Sequence, residues 1–96
     1  KLADMGTQVL ACKNMVYQVA SRMDAGVEVV AEVSMAKNFT AEAAISVCHD
    51  AVQIFGGMGY MRETLVERLS RDARLLPIGG GTQEVMKEII SKRVGY

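Results

Sequence analysis

The sequence predicts an all-α fold, a bundle of amphipathic helices, and three observations carry that expectation. Apolar residues through the first 25 positions recur at helical spacing. No segment alternates polar and apolar residues as a half-buried strand does, and no repeat period appears. Composition agrees: the 96 residues hold one proline, seven methionines, three tyrosines, two phenylalanines and no tryptophan, a core palette that suits helices.

The first helix rests on Leu2, Met5, Val9, Cys12, Val16, Val19 and Met23, which advance by alternating steps of three and four. Such a narrow seam demands partner helices crossing at about 20°. Gly26 supplies a left-handed stop. Residues 27–37 form a second helical segment through Val29, Val30, Val33 and Ala36. Asn38-Phe39-Thr40 is expected to interrupt it, with Thr40 as the N-cap of a third segment running to Phe55. That segment has a broad apolar face (Ala44, Val47, Cys48, Ala51, Val52, Ile54, Phe55) and is expected to be the most buried. Gly56-Gly57-Met58-Gly59 ends it. A fourth helix spans about Arg62–Leu75 and turns Leu65, Val66, Leu69, Ala73 and Leu76 inward. Glu67→Arg71 and Arg68→Asp72 lie four residues apart on its outer face. After the Pro77–Gly81 break, a last helix starts near Thr82 and buries Val85, Met86, Ile89, Ile90 and Val94.

The charge balance excludes several functions. Eleven Lys plus Arg offset eleven Asp plus Glu, so no field recruits nucleic acid or an anionic membrane. No apolar run approaches the roughly 20 residues that span a bilayer. Cys12 and Cys48 lack metal-ligand spacing and are expected to be free thiols in a reducing compartment. His49, the only histidine, has no second ligand or nucleophile beside it, so no metal site is expected. Asn38-Phe39-Thr40 is a formal glycosylation sequon without a secretory signal. The chain starts at Lys1 with a helix already under way, and is expected to be one domain, residues 1–96, cut from a longer protein.

The two glycine clusters are the places where chemistry could sit. Gly79-Gly80-Gly81 opens a helix, whose free N–H groups and partial positive charge favour an anion. Spacing alone favours a plain interhelix loop for this cluster and a plain helix stop for Gly56-Gly57-Met58-Gly59. Neither GxGxxG nor Walker A spacing fits either cluster.

The run Gln53-Ile54-Phe55-Gly56-Gly57-Met58-Gly59-Tyr60 resembles the QxxGGxGY segment of the acyl-CoA dehydrogenase family. Val66-Glu67-Arg68, Arg71-Asp72-Ala73-Arg74 and Gly81-Thr82-Gln83-Glu84 follow at that family's spacing. Leu2-Ala3-Asp4-Met5 and Met35-Ala36-Lys37 fit its earlier helices, so the resemblance covers essentially the whole chain. It implies the up-down four-helix-bundle C-terminal domain of a three-domain flavoenzyme, with the amino-terminal helical and middle β domains as missing partners. The implied reaction is FAD-dependent α,β-dehydrogenation of an acyl-CoA thioester. A carboxylate base removes the α-proton while hydride passes from the β-carbon to the flavin.

By the same resemblance, Gln53, Ile54, Phe55, Gly56 and Gly57 would contact the adenosine-diphosphate side of an FAD held by a neighbouring subunit. Thr82 and Glu84 would contact FAD from the last helix, and Gly79, Gly80 and Gly81 would face the acyl substrate. Many family members carry the catalytic Glu where Gly80 stands here. Glycine cannot abstract a proton, so the resemblance points to the isovaleryl- and long-chain-type subgroups, whose base lies on an earlier helix upstream of Lys1. Implied partners are the acyl-CoA substrate, further copies of the chain in a homo-oligomer, and an acceptor such as electron-transfer flavoprotein. The implied compartment is the cytoplasm or the mitochondrial matrix. Two other expectations stay open at this stage: a non-catalytic acyl-CoA-binding homologue, and a helical oligomerisation module.

Overall fold

The computed structural model describes residues 1–96, and every regular element is helical. Helix α1 is Leu2–Asp24, α2 is Val30–Phe55, α3 is Leu65–Ala73 and α4 is Gln83–Val94, with a 3-10 turn at Gly56–Tyr60 after α2. At 1.5 Å per residue α2 is about 39 Å long, close to the 46 Å long axis of the molecule. Helices α1, α3 and α4 each pack on α2, and none of them packs on another.

Polar contacts fix the directions. Lys1 pairs with Asp50 and Arg22 with Glu32, so α1 runs antiparallel to α2. Asn38 and Glu42 meet Gln83, and Glu28 meets Arg93, so α4 is also antiparallel to α2. Val52 shares a cleft with Glu67, and Ile45 shares one with Arg74. Helix α3 therefore lies along the C-terminal half of α2, α4 along its N-terminal half, and the glycine loop falls between them. The Lys1 ammonium donates to Asp50 at 2.7 Å and holds that carboxyl below the usual carboxylate range.

Helix α2 can serve as this spine because it carries two lines of small residues. Ala36 and Ala43 lie seven positions apart on one side, and Ala31, Ser34 and Ala41 form a second line. At 100° per residue the two lines are about half a turn apart. Small side chains let neighbouring helices approach closely, and they leave little volume between them. No large side chain is fully buried anywhere.

The structure corrects four sequence-based expectations. Residues 30–55 form one helix, with no break at Asn38-Phe39-Thr40. The Thr40 hydroxyl caps nothing; it donates back to the Ala36 carbonyl at 2.7 Å, a bond that a helix interior accommodates. The stripe on α1 is split as well. Met5, Cys12 and Val19 are half-buried with Gln8 and Met15, while Leu2, Val9, Val16 and Met23 face outward, Leu2 at 72% exposure. Having a single neighbour, α1 buries one side of its stripe and leaves the other bare. On α3, Val66, Glu67, Ser70 and Ala73 are the covered residues, whereas Leu65, Leu69 and Leu76 are exposed. On α4, Met86, Ile89 and Ile90 are half-buried as expected, and Val85 and Val94 are not.

The turn after α2 depends on one close approach. A Cβ on Gly59 would press on the Val52 carbonyl oxygen and lie 3.0 Å from the Val52 Cα. Gly6, inside α1, has open space around it. Gly59→Ala should lower unfolding free energy by about 1–3 kcal/mol, and Gly6→Ala should raise it by roughly 0.5–1 kcal/mol. Urea melts of the two variants check both signs.

Candidate functional site

The loop between α3 and α4 is built from stop signals. Arg74–Gly79 winds through turns, with the Ile78 and Gly79 amides donating to the Leu75 carbonyl. Pro77 cannot extend a helix. Gln83 N–H returns to the Pro77 carbonyl at 3.2 Å and closes the loop. Thr82 then caps α4, its hydroxyl oxygen accepting from Val85 N–H at 3.2 Å. Gly80 and Gly81 take φ of +68° and +104°, values that glycine reaches without strain.

This loop is tied to the middle of α2 at three points. The Lys37 ammonium donates to the Gly81 carbonyl. Asn38 Nδ2 donates to the Gln83 carbonyl at 3.2 Å, and Gln83 Nε2 donates to Glu42 Oε1 at 3.0 Å. The backbone N–H groups of Gly80, Gly81, Thr82 and Glu84 find no acceptor in the chain. Four donors, three of them consecutive, thus stand unpaired at a helix N-terminus, a ready arrangement for an anion or an acceptor-rich group.

Gly80, Lys37 and Met86 line one end of a largely apolar groove continued by Val33, Val30 and Val27. A Cβ on Gly80 would meet nothing within 4 Å, whereas one on Gly81 would run into the terminal methyl of Met86. Gly79 packs near the Leu75 side chain.

The other predicted residues, Gln53, Ile54, Phe55, Gly56 and Gly57, occupy the C-terminal end of α2 and are all exposed. Gly56 ends the helix at φ +61°. Fifteen residues of α2 separate Gln53 from Asn38, roughly 22 Å of helix. The structure therefore gathers Gly79–Glu84 into one place and leaves Gln53–Gly57 in another.

Lys37, Asn38 and Glu42 were not singled out from sequence as parts of the loop site. The expected break at Asn38-Phe39-Thr40 would have placed them on separate segments, and only the uninterrupted helix brings all three beneath the loop. A second, polar cleft between Gly59–Glu63 and α3 was also not foreseen. In it Arg71 grips Glu67 with two bonds, of 2.7 and 3.1 Å, and holds that carboxyl below its usual range. Arg68 and Asp72 form no such pair. Cys12 and Cys48 are free and half-buried, and burial pushes the Cys48 thiol up, away from a reactive thiolate. His49 is exposed, and no group of side chains is arranged to hold a metal.

Comparison with known proteins gives a uniform result. Residues 1–95 match the family described as acyl-CoA dehydrogenase, C-terminal domain. An acyl-CoA dehydrogenase of Bacillus subtilis (strain 168) is 48% identical over 92 residues, covering 96% of this chain and 24% of the relative. A 3-(aryl)acrylate reductase of Clostridium sporogenes is 46% identical over 94 residues, covering 98% of this chain and 25% of the relative. The crystal structure of a probable acyl-CoA dehydrogenase from Mycobacterium abscessus superposes with a TM-score of 0.97 at 56% identity, over 99% of this chain and 25% of that one. The chain thus spans about a quarter of the length of these relatives.

The loop geometry separates its two left-handed glycines. Gly80→Ala should cost about 1 kcal/mol for the positive φ alone. Gly81→Ala should cost more, because its φ lies further from the region a Cβ tolerates and Met86 must move. Equal losses for the two variants in chemical denaturation would contradict this geometry.

Proposed function

This chain belongs to the acyl-CoA dehydrogenase family as its C-terminal domain, and from that premise we propose that the protein containing it catalyses α,β-dehydrogenation of an acyl-CoA thioester with FAD. In that protein residues 1–96 form a single helical domain, supplying cofactor contacts, part of the acyl-pocket wall and a subunit interface. The observation that carries the proposal is the set of unpaired amides at the α4 N-terminus beside an apolar groove. FAD is rich in acceptors, with a pyrophosphate and ring carbonyls, and that donor set fits it. When bound, FAD would supply the two-electron acceptor that no side chain can provide.

The work assigned to the chain's own residues is binding and positioning. Thr82 and Glu84 would hold the cofactor from the N-terminus of α4. Gln53, Ile54, Phe55, Gly56 and Gly57 would offer an open, low-profile surface to its adenosine-diphosphate side. The roughly 20 Å between the two groups along α2 suits two copies of the chain, each contributing one end, and so favours a homo-oligomer. Gly79, Gly80 and Gly81 would flank the acyl group, and the open space at Gly80 suits a branched or bulky one.

The base is assigned to a part of the protein outside these residues. Gly80 has no titratable group, and Glu84 points to the cofactor role. We place the protein with the isovaleryl- and long-chain-type subgroups on this ground. An acceptor such as electron-transfer flavoprotein and a cytoplasmic or mitochondrial-matrix location complete the proposal; no helix is long and apolar enough to cross a membrane. Relatives named as a dehydrogenase and a reductase favour an enzyme over a non-catalytic binder or an oligomerisation module.

Purified full-length protein should carry FAD and reduce a dye acceptor when given acyl-CoA, whereas residues 1–96 alone should do neither. Flavin absorbance that stays with the isolated chain through gel filtration would overturn the two-copy assignment. A full-length protein with neither flavin nor dye reduction would overturn the enzymatic one.

A further inference from the structure

We propose that Lys37 and Asn38 are positioning residues that aim two backbone N–H groups, those of Thr82 and Glu84, outward from the α4 N-terminus toward the bound cofactor. The inference rests on the reading of that terminus given under Proposed function, and deepens it by naming what orients the donors.

All peptide bonds here are trans, and in a trans peptide the C=O and N–H point in opposite directions. Lys37 holds the Gly81 carbonyl, and the N–H of that same peptide belongs to Thr82. Asn38 holds the Gln83 carbonyl at 3.2 Å, and the N–H of that peptide belongs to Glu84. The Lys37 bond draws the Gly81 carbonyl toward α2, so the Thr82 N–H faces away from it; the Glu84 N–H follows the axis of α4, whose first turn the Asn38 bond holds against α2. Neither N–H has an acceptor in the chain. Two adjacent residues of one helix therefore fix the two peptides that carry these donors.

Four further observations support a purpose for this tether. Gly80 and Gly81 precede the first plane, and a glycine pair lets a peptide rotate freely unless something holds it. Lys37 forms no ion pair with any carboxylate, so its ammonium is committed to the loop. Asn38 leaves its own Oδ1 buried without a partner, a cost accepted so that its amide nitrogen can reach Gln83. The Gln83 side chain, bonded to Glu42, pins the same segment a third time.

The test uses the full-length flavoprotein with Lys37→Met, Lys37→Arg and Asn38→Ala. FAD affinity of each apo-protein is measured by quenching of flavin fluorescence, beside the melting temperature of the same apo-protein. Lys37→Met and Asn38→Ala should each weaken FAD about tenfold, the scale of one lost hydrogen-bond donor. Lys37→Arg, which keeps a donor and the charge, should stay within about threefold of wild type. Apo-protein melting temperatures should not follow the loss of affinity. Wild-type affinity in Lys37→Met, or equal weakening in Lys37→Arg and Lys37→Met, would overturn the inference. Asn38→Ala, which removes no charge, carries the decision if Lys37→Met fails to fold. A wild-type protein that takes up no flavin would overturn the reading of the terminus and this inference with it; flavin uptake with indifferent variants would overturn this inference alone.

Discussion

The close packing of three helices against one, along two lines of small side chains on α2, is the constraint on which the rest of the structure depends. Ala36 and Ala43 serve one side, and Ala31, Ser34 and Ala41 serve the other. A helix covered on two opposite sides keeps its neighbours apart, which is why α1, α3 and α4 do not touch each other. The same geometry sets α3 and α4 end to end along α2 and leaves the glycine loop over its midpoint. There Lys37, Asn38 and Glu42 can reach it. The placement of the loop is thus a property of α2 before it is a property of the loop.

Such packing leaves much apolar surface uncovered. Leu2, Val9, Val16 and Met23 on α1, Leu65 and Leu69 on α3, and Ile54 and Phe55 at the end of α2 are all exposed. Scattered exposed hydrophobics need no explanation, but a stripe along a whole helix face does. In the proposed protein the remaining three quarters of the polypeptide and other copies of the chain would cover it. The two separated residue groups, Gln53–Gly57 and Gly79–Glu84, fit the same picture, since each forms half of a binding surface.

Much of this was legible in the sequence. The length and stop of α1, the glycine end of α2, the Thr82 cap and the start of α4 all follow from local signals, and the family motifs located both glycine clusters. Three features were not legible, for physical reasons. Thr40 carries the chemistry of an N-cap, and whether its hydroxyl accepts from a helix start or donates to Ala36 depends on the continuity of α2. Asn38 reads as a helix breaker until its partner, the Gln83 carbonyl, lies beside it. The stripe on α1 is a true amphipathic face, but periodicity cannot say which side of it meets α2. The last two depend on long-range partners, 40 or more positions away for Asn38 and spread along the whole of α2 for α1, and the first on a helix continuity that those partners help to fix. The balanced charge offers no pointer to the loop, since unpaired amides attract anions without a surplus of Lys or Arg.

The central claim, that α2 is a spine whose neighbours rely on cover from outside these residues, is tested most directly by amide hydrogen exchange. Exchange is followed residue by residue in residues 1–96 alone and in the full-length protein. The account predicts that α2 is the most protected helix in both, and that α1 gains strong protection only in the full-length protein. Equal protection of α1 in the two samples, or an α2 that exchanges as fast as α1 in both, would contradict it.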